Sequence, residues 1–379
     1  MNKSTLEAAA TLAGCVIGAG ILGIPYVVAK AGFLIGIIDI IAIGILVMFL
    51  NLFIGEIVLR TKGTHQLQKY AEIFLNKKWS RVMFISLLIS LYGALIAYLM
   101  GEGQVINALL GWIYDSELFW SCIFFIFASL LVYKGIRGVS FSELISVSAM
   151  ILIIIFLGVI SFNHINPLNF AGFEIRNIFI PYGVIMFAYF GLVAIPEVRE
   201  VLIKEKRNVK KAIVIGSVIP IFIYILFAFV IIGVTGVETT EVATIGLGQK
   251  VGYIALLFGN LFAFFSIFTS FLAIALALVE LFKYDLKLKK NLAFVSAVGV
   301  PFVAFLLLRK SATFTKVLDV TGYFAGGIIG LLIIAMIGNA KKKSQRTPEF
   351  TITKNIILRI LIALVLIAGI VVNIAKYFI

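Results

Sequence analysis

Eleven stretches of this sequence are long and apolar enough to cross a lipid bilayer, and they restrict the fold more than any other feature. A helix needs about 20 apolar residues to cross a hydrocarbon core of ~30 Å, whereas transmembrane β-strands alternate apolar and polar residues. The chain is 62% hydrophobic and 13% charged, which excludes a soluble globular domain. The runs cover residues 6–29, 33–59, 82–110, 117–133, 139–161, 177–199, 211–234, 252–282, 291–308, 313–338 and 356–377. The sequence therefore predicts an all-α polytopic protein of the inner cell membrane.

The distribution of Lys and Arg orients the predicted bundle. With the N-terminus in the cytoplasm, seven of the 32 basic residues lie outside, namely Lys30, Arg176, Lys250, Arg309, Lys310, Lys316 and Lys376. The other 25 lie on the cytoplasmic side, as the positive-inside rule requires. Because the number of runs is odd, we expect an external C-terminus. The position of the charges between apolar runs also argues against nucleic-acid binding, despite a net charge of +14.

The first and sixth runs contain residues that interrupt a helix. Residues 14–25 read GCVIGAGILGIP, with four glycines and a proline, and residues 187–196 read FAYFGLVAIP. Glycine and proline both disfavour a continuous helix. Four residues recur at a constant offset of 171, Gly20 with Gly191, Ile24 with Ile195, Pro25 with Pro196 and Val27 with Val198. Such residues can also serve helix packing in membranes, but two matched interruptions favour two functional breaks.

The constant offset predicts an internal repeat. It spans five helices, so the two interrupted runs cross the membrane in opposite directions. We therefore expect one transmembrane domain over residues 1–379, built as an inverted repeat of five plus five helices with one helix added. The first repeat covers about 5–161, the second about 177–338 and the added helix about 356–377. Paired interrupted helices at matching positions of two halves indicate a substrate site near the bilayer midplane.

The chemistry of a broken helix suits a zwitterion. A break in lipid leaves backbone N–H and C=O groups that are costly if unpaired. The start of the second half-helix offers N–H groups and a positive dipole end to a carboxylate, and the end of the first offers carbonyls to an ammonium group or an alkali cation. This arrangement favours an α-amino acid. Neither break contains Asp, Glu, Lys or Arg, so we expect a neutral substrate.

Polar side chains in two other places offer routes for a coupling ion. Ser266, Thr269 and Ser270 in the eighth run carry hydroxyl oxygens, which hard cations prefer as ligands. These hydroxyls can instead bond to carbonyls of the preceding turn. The acidic residues Glu102 and Asp319, placed within predicted spans, leave a proton-coupled route open.

The glycine-rich motifs resemble the amino acid/auxin permease family of the amino acid-polyamine-organocation superfamily. The similar segments are residues 18–26 (GAGILGIPY), 195–197 (IPE) and 215–220 (IGSVIP). Within that family, the bacterial aromatic and hydroxy amino acid permeases look most similar, and the similarity runs over nearly the whole chain. The resemblance implies the leucine-transporter-type fold and amino acid symport with Na⁺ or H⁺.

The resemblance also implies roles for individual residues. N–H groups of the first break would hold the substrate carboxylate, carbonyls of both breaks would receive its amine, and aromatic side chains of the second break would shape the pocket. The implied substrate-binding residues are Cys15, Gly18, Ala19, Gly20, Phe187, Ala188, Tyr189 and Phe190. The implied Na⁺ ligands are Gly14, Ile17, Ser266, Thr269 and Ser270. Some proton-coupled relatives carry a lysine in the fifth span; residues 139–161 contain none, which favours Na⁺ over H⁺.

A membrane-embedded enzyme and a channel are the two alternatives to a carrier. A membrane-embedded enzyme needs a cluster of His, Asp, Glu or Cys at one depth, and a channel needs a ring-forming filter motif. The sequence shows neither pattern. We therefore expect no enzymatic activity, no cofactor besides the coupling ion, and the amino acid and the lipid bilayer as partners. The eleventh span can contact either a second protein or only lipid.

Overall fold

The computed structural model of this protein describes residues 2–63, 65–135, 143–172, 175–284, 286–352 and 355–375. Within these ranges all regular structure is helical. The α-helices are α1 (Lys3–Val16), α2 (Ile24–Ala31), α3 (Phe33–Leu59), α4 (Leu67–Phe74), α5 (Lys77–Leu110), α6 (Glu117–Tyr133), α7 (Glu143–Ser161), α8 (Tyr182–Ala188), α9 (Ile195–Val201), α10 (Val209–Thr235), α11 (Ala243–Val251), α12 (Tyr253–Tyr284), α13 (Lys290–Phe294), α14 (Val300–Leu308), α15 (Phe314–Thr321), α16 (Gly327–Asn339) and α17 (Ile356–Ala375). Short 3₁₀ and π segments join several of them.

Six helical segments in the described part of the chain are long and apolar enough to cross a membrane, or seven if the bent pair of α1 and α2 counts as one span. Shorter apolar helices cover Glu117–Tyr133, Ser148–His164 and Ile356–Val372. The all-helical, multi-pass architecture is thus confirmed, while the count of eleven spans and the inverted repeat stay predictions. The sixth predicted run is divided between α8 and α9, each seven residues long, so neither helix alone reaches across a bilayer.

Helix boundaries follow local capping residues. Helices α3 and α6 have the ends that the apolar pattern predicts. Helix α5 begins at Lys77, ahead of its apolar run, because the side chain of Asn76 accepts hydrogen bonds from the N–H groups of Lys78 and Trp79 at 2.9 and 3.2 Å. With 34 residues, α5 is ~51 Å long at 1.5 Å per residue, so it extends beyond the hydrocarbon core.

The interrupted first span lies at the centre of the bundle. Helix α1 packs against α7, α9 and α10, while α10 also packs against α3, and α5 packs against α12. Leu12, Ile17, Ile21 and Leu22 are fully buried. Apolar side chains on all sides therefore hold this span in place.

The connection between α16 and α17 is fixed to the end of α3. Glu56 is fully buried and forms an ion pair with Arg60 at 2.8 Å. Its second carboxylate oxygen accepts a hydrogen bond from the N–H of Ile352 at 2.5 Å, and the N–H of Gln345 donates to the carbonyl of Arg60 at 2.9 Å. These bonds bring α17 back beside α3.

Close packing explains the glycines between α15 and α17. A side chain on Gly322 has no room because the carbonyl oxygen of Gly183 in α8 fills that position. A Cβ on Gly327 would lie 2.7 Å from Ile370, and one on Gly330 would lie 2.7 Å from Leu366, both in α17. Small residues thus allow α8 and α17 to approach this span closely.

Candidate functional site

The first span is broken at the position that its glycines predict. Helix α1 ends at Val16, and Gly18 has extended backbone angles, φ −124° and ψ −154°. A 3₁₀ helix then covers Ala19–Gly23, and α2 follows with Pro25 in its first turn. The chain bends by 49° between α1 and the segment after the break.

Backbone hydrogen bonding changes at this break. Ile17 donates the last regular bond of α1, at 2.7 Å, whereas the N–H of Gly18 turns back to the carbonyl of Val16 at 2.9 Å. The N–H groups of Ala19 and Gly20 begin a 3₁₀ helix and have no acceptor within it. The regular ladder is therefore interrupted over Gly18, Ala19 and Gly20, the three residues whose N–H groups would hold a carboxylate according to the family resemblance.

The sixth predicted span is broken in a similar way. Helix α8 ends at Ala188, and a single 3₁₀ turn separates it from α9. Between them, the N–H of Phe190 donates to the carbonyl of Phe187 at 3.0 Å and the N–H of Gly191 donates to that of Tyr189 at 2.7 Å. The ladder thus breaks at the second predicted position as well.

The two breaks touch each other. A Cβ on Gly20 would lie 2.7 Å from the Cα and 2.9 Å from the Cβ of Ala188. A Cβ on Gly191 would overlap the side chain of Val16. The absence of a side chain at both glycines is what permits this contact.

Tyr224 of α10 joins the two breaks from the side. Its hydroxyl oxygen lies 2.8 Å from the carbonyl oxygen of Val16 and 2.9 Å from that of Ala188. The side chain is fully buried. The sequence analysis did not identify Tyr224, although a tyrosine inside an apolar span must find a hydrogen-bond partner.

Accessible surface remains at the ends of the two breaks and on α12. It belongs to Gly14, Cys15, Gly18, Phe187, Phe190 and Ser270, of which Cys15 is exposed and the others are half-buried. Tyr98 of α5 also lies here: its ring centroid is 6.5 Å from that of Phe187, and its hydroxyl interacts with the Ser270 side chain. Tyr98 is a second site residue that the sequence analysis missed.

The three hydroxyl residues of α12 differ in their surroundings. Ser270 lies against the first break, since a Cβ on Gly18 would be 2.8 Å from its Oγ. Ser266 is buried, and its Oγ has no hydrogen-bond partner in the described part of the chain. Thr269 is exposed and donates to the carbonyl of Phe265 at 2.8 Å. This is the bond to the preceding turn that the sequence left open as an alternative to cation binding. It uses only the hydroxyl proton, so the oxygen lone pairs remain for a cation.

Tyr189 is placed differently from the other aromatic residues of the second break. Its hydroxyl donates to the carbonyl of Ile40 in α3 at 3.0 Å, and its ring centroid lies 4.9 Å from that of Tyr224. Only 2% of the residue is exposed. Tyr189 therefore packs between α3 and α10, while Phe187 and Phe190 retain accessible surface.

Glu102, Asp319 and Asp39 are acidic residues inside membrane-spanning helices. Glu102 of α5 is fully buried, and neither carboxylate oxygen has a hydrogen-bond partner among the described residues. Asp319 of α15 packs against the backbone of Gly183. Asp39 of α3 is 7% exposed, and the sequence analysis did not identify it.

A polar cavity lies beside α2, away from the contact between the breaks. Its volume is about 500 Å³. Seven polar side chains line it, those of Tyr26, Gln104, Asn107, Glu117, Thr240, Glu241 and Gln249. The cavity lies beyond the first break on the side where α2 continues, so it offers a polar approach from that end of the bundle.

Comparison with known proteins gives a consistent result. The profile of the tryptophan/tyrosine permease family matches residues 1–376. Glutamine transporter 2 of Aliivibrio fischeri is 25% identical over 90% of this chain and 91% of its own length. The low affinity tryptophan permease of Proteus vulgaris is 26% identical over 74% of this chain and 72% of its own length. The tryptophan-specific transport protein of Haemophilus influenzae is 25% identical, with 92% and 90% covered.

Proposed function

Because this chain belongs to the tryptophan/tyrosine permease family, we propose that it is a secondary transporter that carries a neutral amino acid by symport with Na⁺. Membership of that family, together with several apolar helices, makes it a multi-pass membrane transporter of amino acids rather than an enzyme. The resemblance to amino acid/auxin permeases pointed to a related group of permeases instead of to this family.

The contact between the two breaks supports this function most directly. Two interrupted spans meet at Gly20 and Ala188, and the regular backbone ladder of each span is interrupted there. In the proposed mode, N–H groups at Gly18, Ala19 and Gly20 bind the carboxylate, because the start of a helical segment favours negative charge. The N–H of Gly18 then exchanges its bond to the carbonyl of Val16 for one to the carboxylate. Carbonyls at the ends of α1 and α8 bind the ammonium group.

The proposed side-chain pocket lies beside this contact. Phe187 and Phe190 retain accessible aromatic surface, and the buried ring of Tyr98 packs against Phe187. The relatives are named for glutamine, tryptophan and tyrosine, which are all neutral amino acids. We therefore propose a neutral substrate, with an aromatic or hydroxyl-bearing side chain preferred.

Na⁺ is the proposed coupling ion, bound beside the first break. Gly14 and Ile17 would supply carbonyl oxygens, and the hydroxyls of Ser266, Thr269 and Ser270 would supply the rest. The closeness of Ser270 to Gly18 supports this placement. The unpartnered Oγ of Ser266 supports it as well, since a buried hydroxyl without a partner is costly unless it binds something.

Proton coupling through Glu102 is the second candidate. A fully buried carboxyl group whose oxygens find no partner among the described residues favours the neutral, protonated form in a membrane interior. Glu102 lies one helical turn from Tyr98 along α5, so a change in its charge would act close to the proposed pocket.

The remaining features of the proposal concern topology. We propose a cytoplasmic N-terminus, an external C-terminus and an inverted repeat of five plus five helices with α17 added. Alternating access would then follow from movement of the broken spans against α3, α5 and α12. Under this orientation the polar cavity beside α2 faces the outside and offers a route of entry.

Uptake by the purified protein in liposomes tests the proposal. We expect labelled tryptophan, tyrosine or glutamine to accumulate when an inward Na⁺ gradient is imposed, and unlabelled neutral amino acids to compete. Uptake restricted to acidic or basic amino acids, or none that follows any ion gradient, contradicts the proposal.

Two variants separate the coupling ions. Thr269→Ala should raise the Na⁺ concentration needed for half-maximal uptake by about tenfold, the effect of losing one favourable ligand. Thr235→Ala is the matched control, since its hydroxyl also bonds to the preceding turn, at 2.8 Å. If Glu102→Gln abolishes pH-driven uptake while Na⁺ has no effect on the wild type, the proton is the coupling ion.

A further inference from the structure

A crevice of about 340 Å³ lies between α3, α17 and the residues that lead into α8. Asp39 and Tyr182 contribute its two polar side chains, and the rest of the lining is aliphatic or phenylalanine. It is separate from the breaks and from the polar cavity beside α2. Nothing in the proposed transport cycle uses it.

The crevice opens toward the bilayer. Ile45, Leu361 and Val365 line it and expose 42%, 56% and 43% of their surfaces. Apolar side chains exposed on membrane-spanning helices face lipid. Hydrocarbon chains of the bilayer are therefore the natural filling of this space.

Asp39 makes the crevice more than a lipid-filled gap. Only 7% of the residue is exposed, and its Oδ2 has no hydrogen-bond partner among the described residues. The hydroxyl of Tyr182 in the same lining also lacks one. A carboxyl group on the lipid-facing side of a span is costly unless a cation or donor meets it. An apolar wall with one unpartnered carboxyl group is complementary to a cationic head on an apolar body.

The depth of Asp39 fits the head of a lipid. Helix α3 has 27 residues and is therefore ~40 Å long, which exceeds a ~30 Å hydrocarbon core by ~10 Å. Asp39 lies six residues after Phe33, ~9 Å from the start of the helix. It therefore sits only a few ångströms below the headgroup layer, within reach of a flexible ammonium group.

A basic residue lies near the same end of the crevice. Arg176 is exposed and precedes Ile178, which lines the crevice, by two residues. A guanidinium group is a good partner for a phosphate. The carboxyl group of Asp39, deeper in the membrane, and the guanidinium group of Arg176, nearer its surface, are complementary to the ammonium and phosphate groups of a zwitterionic lipid headgroup.

We propose that this crevice binds one phosphatidylethanolamine molecule, with its ammonium group on Asp39 and one acyl chain along α3 and α17. A primary ammonium group donates hydrogen bonds to a carboxylate, which the trimethylammonium group of phosphatidylcholine cannot do, and phosphatidylglycerol carries no cation at all. The lipid belongs to the leaflet in which α3 begins. Because Tyr182 opens α8, the bound lipid supports the second broken span.

Lipid binding to the purified full-length protein tests this site. After delipidation, native mass spectrometry would measure retention of phosphatidylethanolamine, its N-methylated and N,N-dimethylated forms, phosphatidylcholine and phosphatidylglycerol. We expect affinity to fall stepwise with methylation. Asp39→Asn should weaken phosphatidylethanolamine binding about tenfold, the loss expected for one charge-assisted hydrogen bond, and should remove the preference over phosphatidylcholine.

Two further variants keep the test independent of folding. Asp115→Asn makes the same change at an exposed loop residue, whose carboxylate accepts a bond from Asn107 at 2.9 Å, and should leave lipid preference unchanged. Ala42→Phe fills the crevice with Asp39 intact and should displace the lipid. The proposal is overturned if Asp39→Asn keeps the wild-type preference, if the wild type does not distinguish phosphatidylethanolamine from phosphatidylcholine, or if a second copy of the chain occupies the crevice.

Discussion

The two breaks interrupt the helical hydrogen-bond ladder in similar ways but carry different side chains. The first runs through Ala19–Gly23, which is buried throughout and contains no polar side chain. The second is flanked by Phe187, Tyr189 and Phe190. One break thus offers mainly peptide groups and the other mainly aromatic surface. The comparison suggests a division of tasks, in which the first break recognises the common part of an amino acid and the second selects its side chain.

Helix α1, which precedes the first break, and α9, which follows the second, are also held in place by different contacts. The free end of α1 is attached through Asn2 and Ser4, whose side chains donate to the partly exposed carboxylate of Glu205 at 3.2 to 3.4 Å. Helix α9 is attached through the largely buried Arg199, which donates to the carbonyls of Thr61 and Gly63. Exposed bonds compete with water and stabilise less than buried ones, so α1 is the more weakly tethered of the two.

The largest effect is expected where the breaks touch. In Gly20→Ala the new methyl group would lie within 2.9 Å of the Ala188 side chain and closer still to its Cα, so the two spans must separate. We expect uptake to fall below detection while the protein remains folded in detergent. Gly338→Ala is the control, because its nearest atom is the end of the Arg359 side chain, 3.4 Å away. Normal uptake by Gly20→Ala would contradict the close contact.

Removing the hydroxyl of Tyr224 should have the next largest effect. Tyr224→Phe leaves the buried carbonyls of Val16 and Ala188 without this donor, at a cost of about 1–3 kcal/mol. We expect a lower melting temperature and roughly tenfold slower uptake of every substrate. Tyr92→Phe is the matched control, since its hydroxyl donates to the carbonyl of Ser296 at 2.6 Å, away from the breaks. Equal losses in both variants would show that the effect is general.

A smaller and more selective effect is expected at the second break. Phe187→Leu removes the aromatic ring that meets Tyr98 but leaves the backbone groups in place. Because aromatic pairs add about 0.5–1.5 kcal/mol beyond area burial, the preference for tryptophan over a small neutral amino acid should fall severalfold. Competition against labelled substrate measures this ratio. A uniform loss for all substrates would contradict the division of tasks between the breaks.

The smallest effect is expected at Glu205. Hydrogen bonds from Asn2, and then from Asn208 and Ser4, hold the pKa of this carboxyl group below its usual range. Its contribution to stability is therefore present above the unfolded-state pKa and is lost as the pH falls through the lower folded-state value. We expect Glu205→Gln to reduce the melting temperature slightly near neutral pH and to have no effect in strong acid. Thermal denaturation across acidic pH measures the difference.

The positions of the breaks could be predicted from local chemistry, and their partners could not. Glycines and a following proline disfavour a continuous helix wherever they occur, so Gly18 and Gly191 were identifiable in the sequence. Tyr224 binds both breaks from α10, more than 200 residues after Val16 along the chain, and no short motif records such a contact. Asp39 was missed because a single acidic residue is inconspicuous in an otherwise apolar run.

The shared hydroxyl of Tyr224 has a consequence for movement. A phenol hydroxyl can donate only one hydrogen. The carbonyls of Val16 and Ala188 therefore compete for the same donor, and each receives a weaker hydrogen bond. When either span moves away, the carbonyl that remains can accept the full hydrogen bond from the Tyr224 hydroxyl. The interaction energy lost with one span is then largely recovered with the other. The Tyr224 contact therefore stabilises the arrangement in which the two breaks touch, yet it adds only a small energetic cost to their separation.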